Sequence, residues 1–180
     1  MCIMSNENCA VFVQSAYKES AEWLSVKALA DSLADFISLD SVRDEINATN
    51  APSASSGKIQ DIILHKAQSL GFSSEAKGLF QEYANKGLRP DYFRQMGQTG
   101  ILIEVERGKT NQNNMDFLDI WKCHICKQAD YLFLFVPKEL RQNASGKIVG
   151  RPFKVTRAHV SAFFETGNYV NVRGVVVFGY

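Results

Sequence analysis

The sequence predicts an α/β fold, a mixed β-sheet with helices packed against it, and three observations predict it. Apolar residues recur at steps of three and four between 15 and 37, the signature of a long amphipathic helix. Residues 131–136, YLFLFV, form an uninterrupted apolar run of the kind that marks a strand buried on both faces. Between this run and an earlier branched-residue strand lies a helical pattern, so the middle of the chain reads strand–helix–strand and requires at least one parallel pair. With 180 residues, 46% hydrophobic and 22% charged, the chain has the material for a sizeable core without disulfides, and wholesale disorder is excluded. One domain spanning 1–180 is expected, with a helical part at 15–70, a central core at about 59–137 and a strand and helix part at 138–180.

Each element has its own reason. In the first helix Trp23, Val26, Ala30, Leu33 and Ile37 share a face. Ser41 followed by Asp44 starts a shorter helix to about Ala48. NAPSASSG, from Asn50 to Gly57, is a loop by composition. Ile59, Ile62, Ile63, Ala67 and Leu70 define a third helix, which Gly71 stops. Phe72 to Tyr83 fits strand or helix equally. Lys86 to Pro90 turns into a short strand, Asp91-Tyr92-Phe93, and Met96 to Gly100 makes another turn. Gly100 to Glu106 is a strand, and Asn111 to Asn114 is a polar connection. Phe117, Ile120, Trp121, His124 and Ile125 mark a helix to about Gln128, with Trp121 on its core side, Lys122 on its surface side, and Asp116 and Asp119 favouring its first turn through the helix dipole. Pro137 stops the strand of 131–136. Leu140 to Gly150 reads as polar loop, His159 to Phe164 as a helix and Tyr169 to Phe178 as a closing strand.

Net charge is +1, which does not advertise a nucleic-acid binder, but the distribution is uneven. Residues 1–60 hold 4 basic and 8 acidic side chains, whereas 61–180 hold 16 and 11. From Lys138 to Arg157, six bases (Lys138, Arg141, Lys147, Arg151, Lys154, Arg157) face only Glu139. Such a segment suits a polyanion, and equally suits a solvated loop. No apolar run is long enough to span a bilayer, and no basic region precedes a hydrophobic stretch at the amino terminus, so a cytoplasmic protein is expected. Cys123 and Cys126 have the spacing of half a zinc site or a redox pair, but no further Cys or His ligands lie at matching spacing, and a helical segment suits them as small buried hydrophobes. His124 and His159 are each read as structural or surface residues.

The carboxylates carry the chemistry. Glu104 and Glu106 are two apart on an otherwise apolar strand and so share a face. Two like charges there repel each other and are costly to desolvate, which a packed core has no use for and a divalent cation does. Asp91 opens the preceding strand, and antiparallel pairing brings it alongside. Asp91 and Glu104 are therefore candidates to share one Mg²⁺, with the Val105 carbonyl as third ligand and Glu106 beside an attacking water. The contrasting reading pairs Glu104 and Glu106 with Arg107 or Lys109 on a solvated edge.

Pro90-Asp91, twelve intervening residues, then Glu104-Val105-Glu106 resembles the signature of the PD-(D/E)XK nuclease superfamily, specifically type II restriction endonucleases. The run from Leu88 to Tyr92, through Ile103 to Lys109, Trp121-Lys122 and Leu134 to Pro137, is similar to that family's catalytic core. The resemblance implies a restriction-endonuclease-like core and a Mg²⁺-dependent endodeoxyribonuclease, Mn²⁺ substituting, that acts on double-stranded DNA, leaves a 5′-phosphate and works as a homodimer. The family's usual lysine, two residues past the second acid, is Glu106 here, as in the BamHI-like branch, and Lys109 is a displaced source of positive charge. Glu106 is then a base, a second-metal ligand, or a relic in an inactive module that binds DNA or protein. Glu75 is a candidate additional acid; Asn113 and Asn114 are candidate phosphate contacts or helix caps.

Overall fold

A computed structural model describes residues 2–5, 7–49, 56–74, 79–80, 88–107, 111, 113–142 and 145–180. The elements run β1 (Cys2–Ser5), β2 (Cys9–Val13), α1 (Ala21–Ser38), α2 (Asp40–Thr49), α3 (Ser56–Ser69), β3 (Ser73–Ser74), β4 (Tyr92–Met96), β5 (Thr99–Val105), α4 (Met115–Ile125), β6 (Tyr131–Val136), β7 (Leu140–Arg141), β8 (Ile148–Gly150), α5 (Pro152–Phe163) and β9 (Gly174–Gly179). Seven strands form a mixed sheet in the order β1-β2-β9-β6-β5-β4-β3, and β7-β8 is a separate hairpin. At its centre β5, β6 and β9 run parallel, and the outer pairings are antiparallel. The expected α/β class, a mixed sheet flanked by helices, is what the chain adopts.

Both sheet faces are covered, so the central strands are apolar throughout. On one face Ile101, Ile103, Val105, Phe133 and Phe135 pack with Val26, Leu33, Ile59 and Ile63 of α1 and α3. On the other, Leu102, Leu132, Leu134 and Val177 pack with Ile120 and Cys123 of α4 and Phe153 and Val160 of α5. The five predicted apolar positions of α1 are its buried ones, and Ser20 caps it by accepting from the Trp23 N–H, so the helix starts at 21 rather than 15.

Other boundaries move for identifiable reasons. β4 and β5 extend through Met96 and from Thr99, leaving Gly97 at φ 61° within a tighter turn than the Met96–Gly100 expectation. Pro152 in the first turn starts α5 earlier than His159, because proline's fixed φ suits that position. The segment read as polar loop holds the β7-β8 hairpin, and β9 begins at Gly174, where Trp23 packs too close for a Cβ. Two amino-terminal strands beyond the expected elements extend the sheet, and five Cα pairs join β2 to β9. Of the loop expected at Asn50–Gly57, residues 50–55 lie outside the described residues, and Ser56 and Gly57 belong to α3.

Candidate functional site

Glu104 lies opposite Leu134 near the carboxyl end of β5. Glu106, just past the strand, keeps the ladder going by donating its N–H to the Phe135 carbonyl at 2.8 Å, and the Tyr180 hydroxyl donates to the Glu106 carbonyl at 2.6 Å. The strand's alternation turns Leu102, Glu104 and Glu106 toward α4. Leu102 meets Ile120 and Cys123, while the two carboxylates meet the polar part of the same helix.

Asp91 stands directly before β4. Its Oδ2 accepts from the Val105 N–H at 2.7 Å and its Oδ1 accepts from the Gln60 side-chain amide at 3.0 Å. The Tyr92 hydroxyl donates to the Gln60 carbonyl at 3.1 Å, which ties α3 to this corner. Antiparallel register, Tyr92 opposite Ile103, thus places Asp91 against the backbone of the E-x-E segment.

α4 supplies what the strands lack. Asp116, Asp119 and Lys122, three apart, turn inward on one helical face. The Lys122 ammonium lies 2.5 Å from Glu104 Oε1 and 2.8 Å from Asp119 Oδ1, and the three side chains are 8%, 5% and 0% exposed. Neither oxygen of Asp119 meets a donor in hydrogen-bond alignment, while the Glu106 carboxyl is near enough to share a proton with it. Glu104 and Asp119 therefore flank the Lys122 ammonium with little water, and half-buried Asp91 and Glu106 lie near enough to feel its charge.

Protonation follows from that crowding. Burial pushes Glu106 up to about 7, and the neighbouring Asp119 charge adds to it. Burial, then Asp119, raises Glu104 well above the ordinary carboxylate range; burial also raises Asp91 and Asp119. Desolvation alone would lower Lys122, but Glu104 and Asp119 outweigh it and its ammonium is held more firmly than usual. Like charges in low dielectric resist ionising together, which is why these carboxyls bind protons more tightly than usual while the Lys122 ammonium stays charged.

Do these donors suit a cation? In kind they do: all are hard oxygens, and buried Asp119, its ion pair with Lys122 aside, meets no donor in hydrogen-bond alignment. In the arrangement present, no three of the His, Cys, Asp and Glu residues among the described residues converge as a metal requires, and Glu104 is paired with Lys122.

Of the predicted site residues, Asp91, Glu104, Val105 and Glu106 meet at one corner. Glu75 and Lys109 lie outside the described residues. Asn113 and Asn114 are exposed; Asn114 occupies the N-cap position of α4 with φ 53° and makes no capping bond with its side chain. The α4 assignments reverse: Trp121 is 51% exposed and Lys122 is buried, and Asp119 faces the acid cluster rather than serving only the helix dipole. Lys122 and Asp119 were the residues that pattern reading missed. A signal existed, since both fall on the arc of Ile120 and Cys123, but charge argued for the opposite face. Cys123 and Cys126 are buried, and burial raises the Cys123 thiol, the reverse of an activated nucleophile. His124 and His159 serve structure: the Asn171 N–H donates to His124 Nδ1 at 2.8 Å, and His159 Nδ1 lies 2.8 Å from buried Asp116.

No protein-family model matches the chain. No curated protein matches it either. Among solved structures the chain is similar to the crystal structure of restriction endonuclease BglII complexed with a DNA 16-mer, with a TM-score of 0.44 and 10% identity, covering 82% of this chain and 74% of that one.

Proposed function

We propose that the protein is a metal-dependent DNA endonuclease of the type II restriction kind, hydrolysing phosphodiester bonds in double-stranded DNA. The observation that carries this reading is the gathering of buried Glu104 and Asp119 and half-buried Asp91 and Glu106 about the Lys122 ammonium, at the carboxyl ends of parallel strands. A cluster this costly is tolerated where its charge is used. Asp91, Glu104 and the Val105 carbonyl would hold Mg²⁺, or Mn²⁺ in its place, which when bound polarises the scissile phosphate and acidifies water. Glu106 would serve as the base toward an attacking water, and a group poised near 7 suits that task. Lys122 fixes the Glu104 carboxylate and offers the positive charge that Glu106 displaced from the usual lysine slot; Lys109 is the other candidate for that role. Asp119, whose charge helps to raise Glu106, tunes that carboxyl.

The test is incubation of purified protein with long DNA and Mg²⁺. Wild type should cleave, EDTA should stop it, and Glu104→Ala and Asp91→Asn should abolish it. Equal, EDTA-insensitive backgrounds in all three proteins would refute the reading. A homodimer matched to a two-fold DNA site accompanies this proposal, and light scattering with and without DNA checks it.

A second reading, a nuclease-like module that binds without cutting, is favoured by one observation: Lys122 pairs with Glu104 where a metal would need that carboxylate. Calorimetric titration with Mn²⁺ separates the two, because only a working site binds the ion and loses it in Asp91→Asn.

A further inference from the structure

We infer that the β7-β8 hairpin and the outer face of α5 form the surface that grips the sugar-phosphate backbone of double-stranded DNA beside the acid cluster. This rests on the nuclease reading for its partner, and on the following observations for its place.

Between Glu139 and Glu165 the chain has no acidic residue, but it has Arg141, Lys147, Arg151, Lys154, Arg157 and His159. Arg141 is neutralised by Glu139 at 2.6 Å. Lys147, Arg151, Lys154 and Arg157 have no ion-pair partner among the described residues; Arg157 lies over the Phe153 ring at 5.4 Å. Burial of Pro152, Phe153, Thr156 and Val160 turns Arg151, Lys154, Val155 and Ala158 outward along one side of α5, two cations with a small residue a turn further on. Lys147 is exposed just before β8.

The same segment is anchored at the acid cluster's end of the sheet. β5, β6 and β9 run parallel, so their carboxyl ends lie together. The Phe153 N–H donates to the Pro137 carbonyl at 3.1 Å, immediately past β6, while Glu106 donates to Phe135 at 2.8 Å. From α4, Asp116 accepts from Thr156 at 3.1 Å, and Asn111 donates to both Asp116 and Thr156 at 2.9 and 3.0 Å. α5 therefore flanks α4 on the face toward which Glu104 and Glu106 point.

Electrostatics makes the juxtaposition purposeful. A cluster of carboxylates repels a phosphate backbone, so a duplex reaches it only if cations alongside supply the attraction, which they do by releasing counterions. Lys147, Arg151, Lys154 and Arg157, without ion-pair partners among the described residues, meet that need.

The experiment is fluorescence anisotropy with random-sequence duplex DNA in Ca²⁺ across a series of salt concentrations. The triple variant Lys147→Ala, Arg151→Ala, Lys154→Ala should weaken binding on the order of 100-fold at low salt and reduce the magnitude of the log–log salt slope by about 3. The three side chains are exposed, and an unchanged circular dichroism melt verifies folding. Lys58→Ala with Lys66→Ala, on α3 across the sheet, should leave affinity and slope unchanged. Equal affinity and slope for wild type and triple variant would overturn the inference and leave the nuclease reading standing. Binding lost in the triple variant, in a protein that never cleaves, would support it and remove only the catalysis. A wild type that ignores duplex DNA but binds anionic lipid vesicles through the same residues would overturn it.

Discussion

Replacing Lys122 by methionine isolates the electrostatics of the cluster. The substitution keeps an unbranched side chain of similar length and deletes one charge. Lys122 sits 2.5 Å from Glu104 and 2.8 Å from Asp119, with all three side chains nearly excluded from water. At an effective dielectric constant near 20 the gross attraction is ~6 kcal/mol for each contact. Most of it is offset by the cost of stripping water from three ions, so the measurable loss is that of leaving buried charge without a partner, about 3–5 kcal/mol. That corresponds to a fall in Tm of roughly 6–20 °C for a chain of this size. The deficit should depend on pH. Glu104 and Asp119 already bind protons more tightly than in the unfolded chain, so the stability this gives is present at low pH and lost as pH rises. Without Lys122 both carboxyls rise further. Urea unfolding should thus show the full deficit at mildly alkaline pH, shrinking as pH falls toward the unfolded carboxylate value of about 4. A deficit below about 1 kcal/mol, or one that stays constant with pH, would refute the claim that Lys122 is the cluster's counterion.

Other outcomes follow from the same geometry. In metal-free protein Glu106 titrates at about 7, above its unfolded value, so its contribution is complete below about 4.5 and lost as pH rises through 7; Glu106→Gln should flatten that slope in urea melts by on the order of 2 kcal/mol, allowing for its partial exposure. Asp116→Ala strips acceptors from Asn111, Thr156 and His159 at the α4–α5 contact and should cost about 2–4 kcal/mol in urea unfolding, with Asp116→Asn intermediate. Gly100→Ala would press a Cβ within 2.7 Å of the Gln128 carbonyl and 2.9 Å of the Arg94 carbonyl; since backbone cannot step aside cheaply, a loss of about 2–3 kcal/mol is expected, and an unchanged melting temperature would contradict the packing.

Covering the sheet on both faces left its mark in the chain. Phe133 and Leu134 point to opposite faces and both must be apolar, so β6 reads as an unbroken hydrophobic run. Trp23 to Ile37 had to meet one sheet face, which imposes the spacing of three and four. Asp91 and the Glu104–Glu106 pair were equally legible, because carboxylates on apolar strands violate the pattern around them. The β7-β8 hairpin and the early start of α5 were not, since strands of two and three residues are too short to show a period and proline reads as a breaker as readily as a first-turn residue.

By itself the sequence determined the layers, the central strand–helix–strand unit and the three acids of the E-x-E corner, because burial dictates periodicity locally. Only the tertiary structure decided that Lys122 and Asp119 belong with those acids. A lysine on a helix is soluble anywhere, and its burial becomes favourable solely because β5 delivers Glu104 within 2.5 Å from 18 residues away. Such a cost is set by what another element brings near, and local pattern holds no record of that.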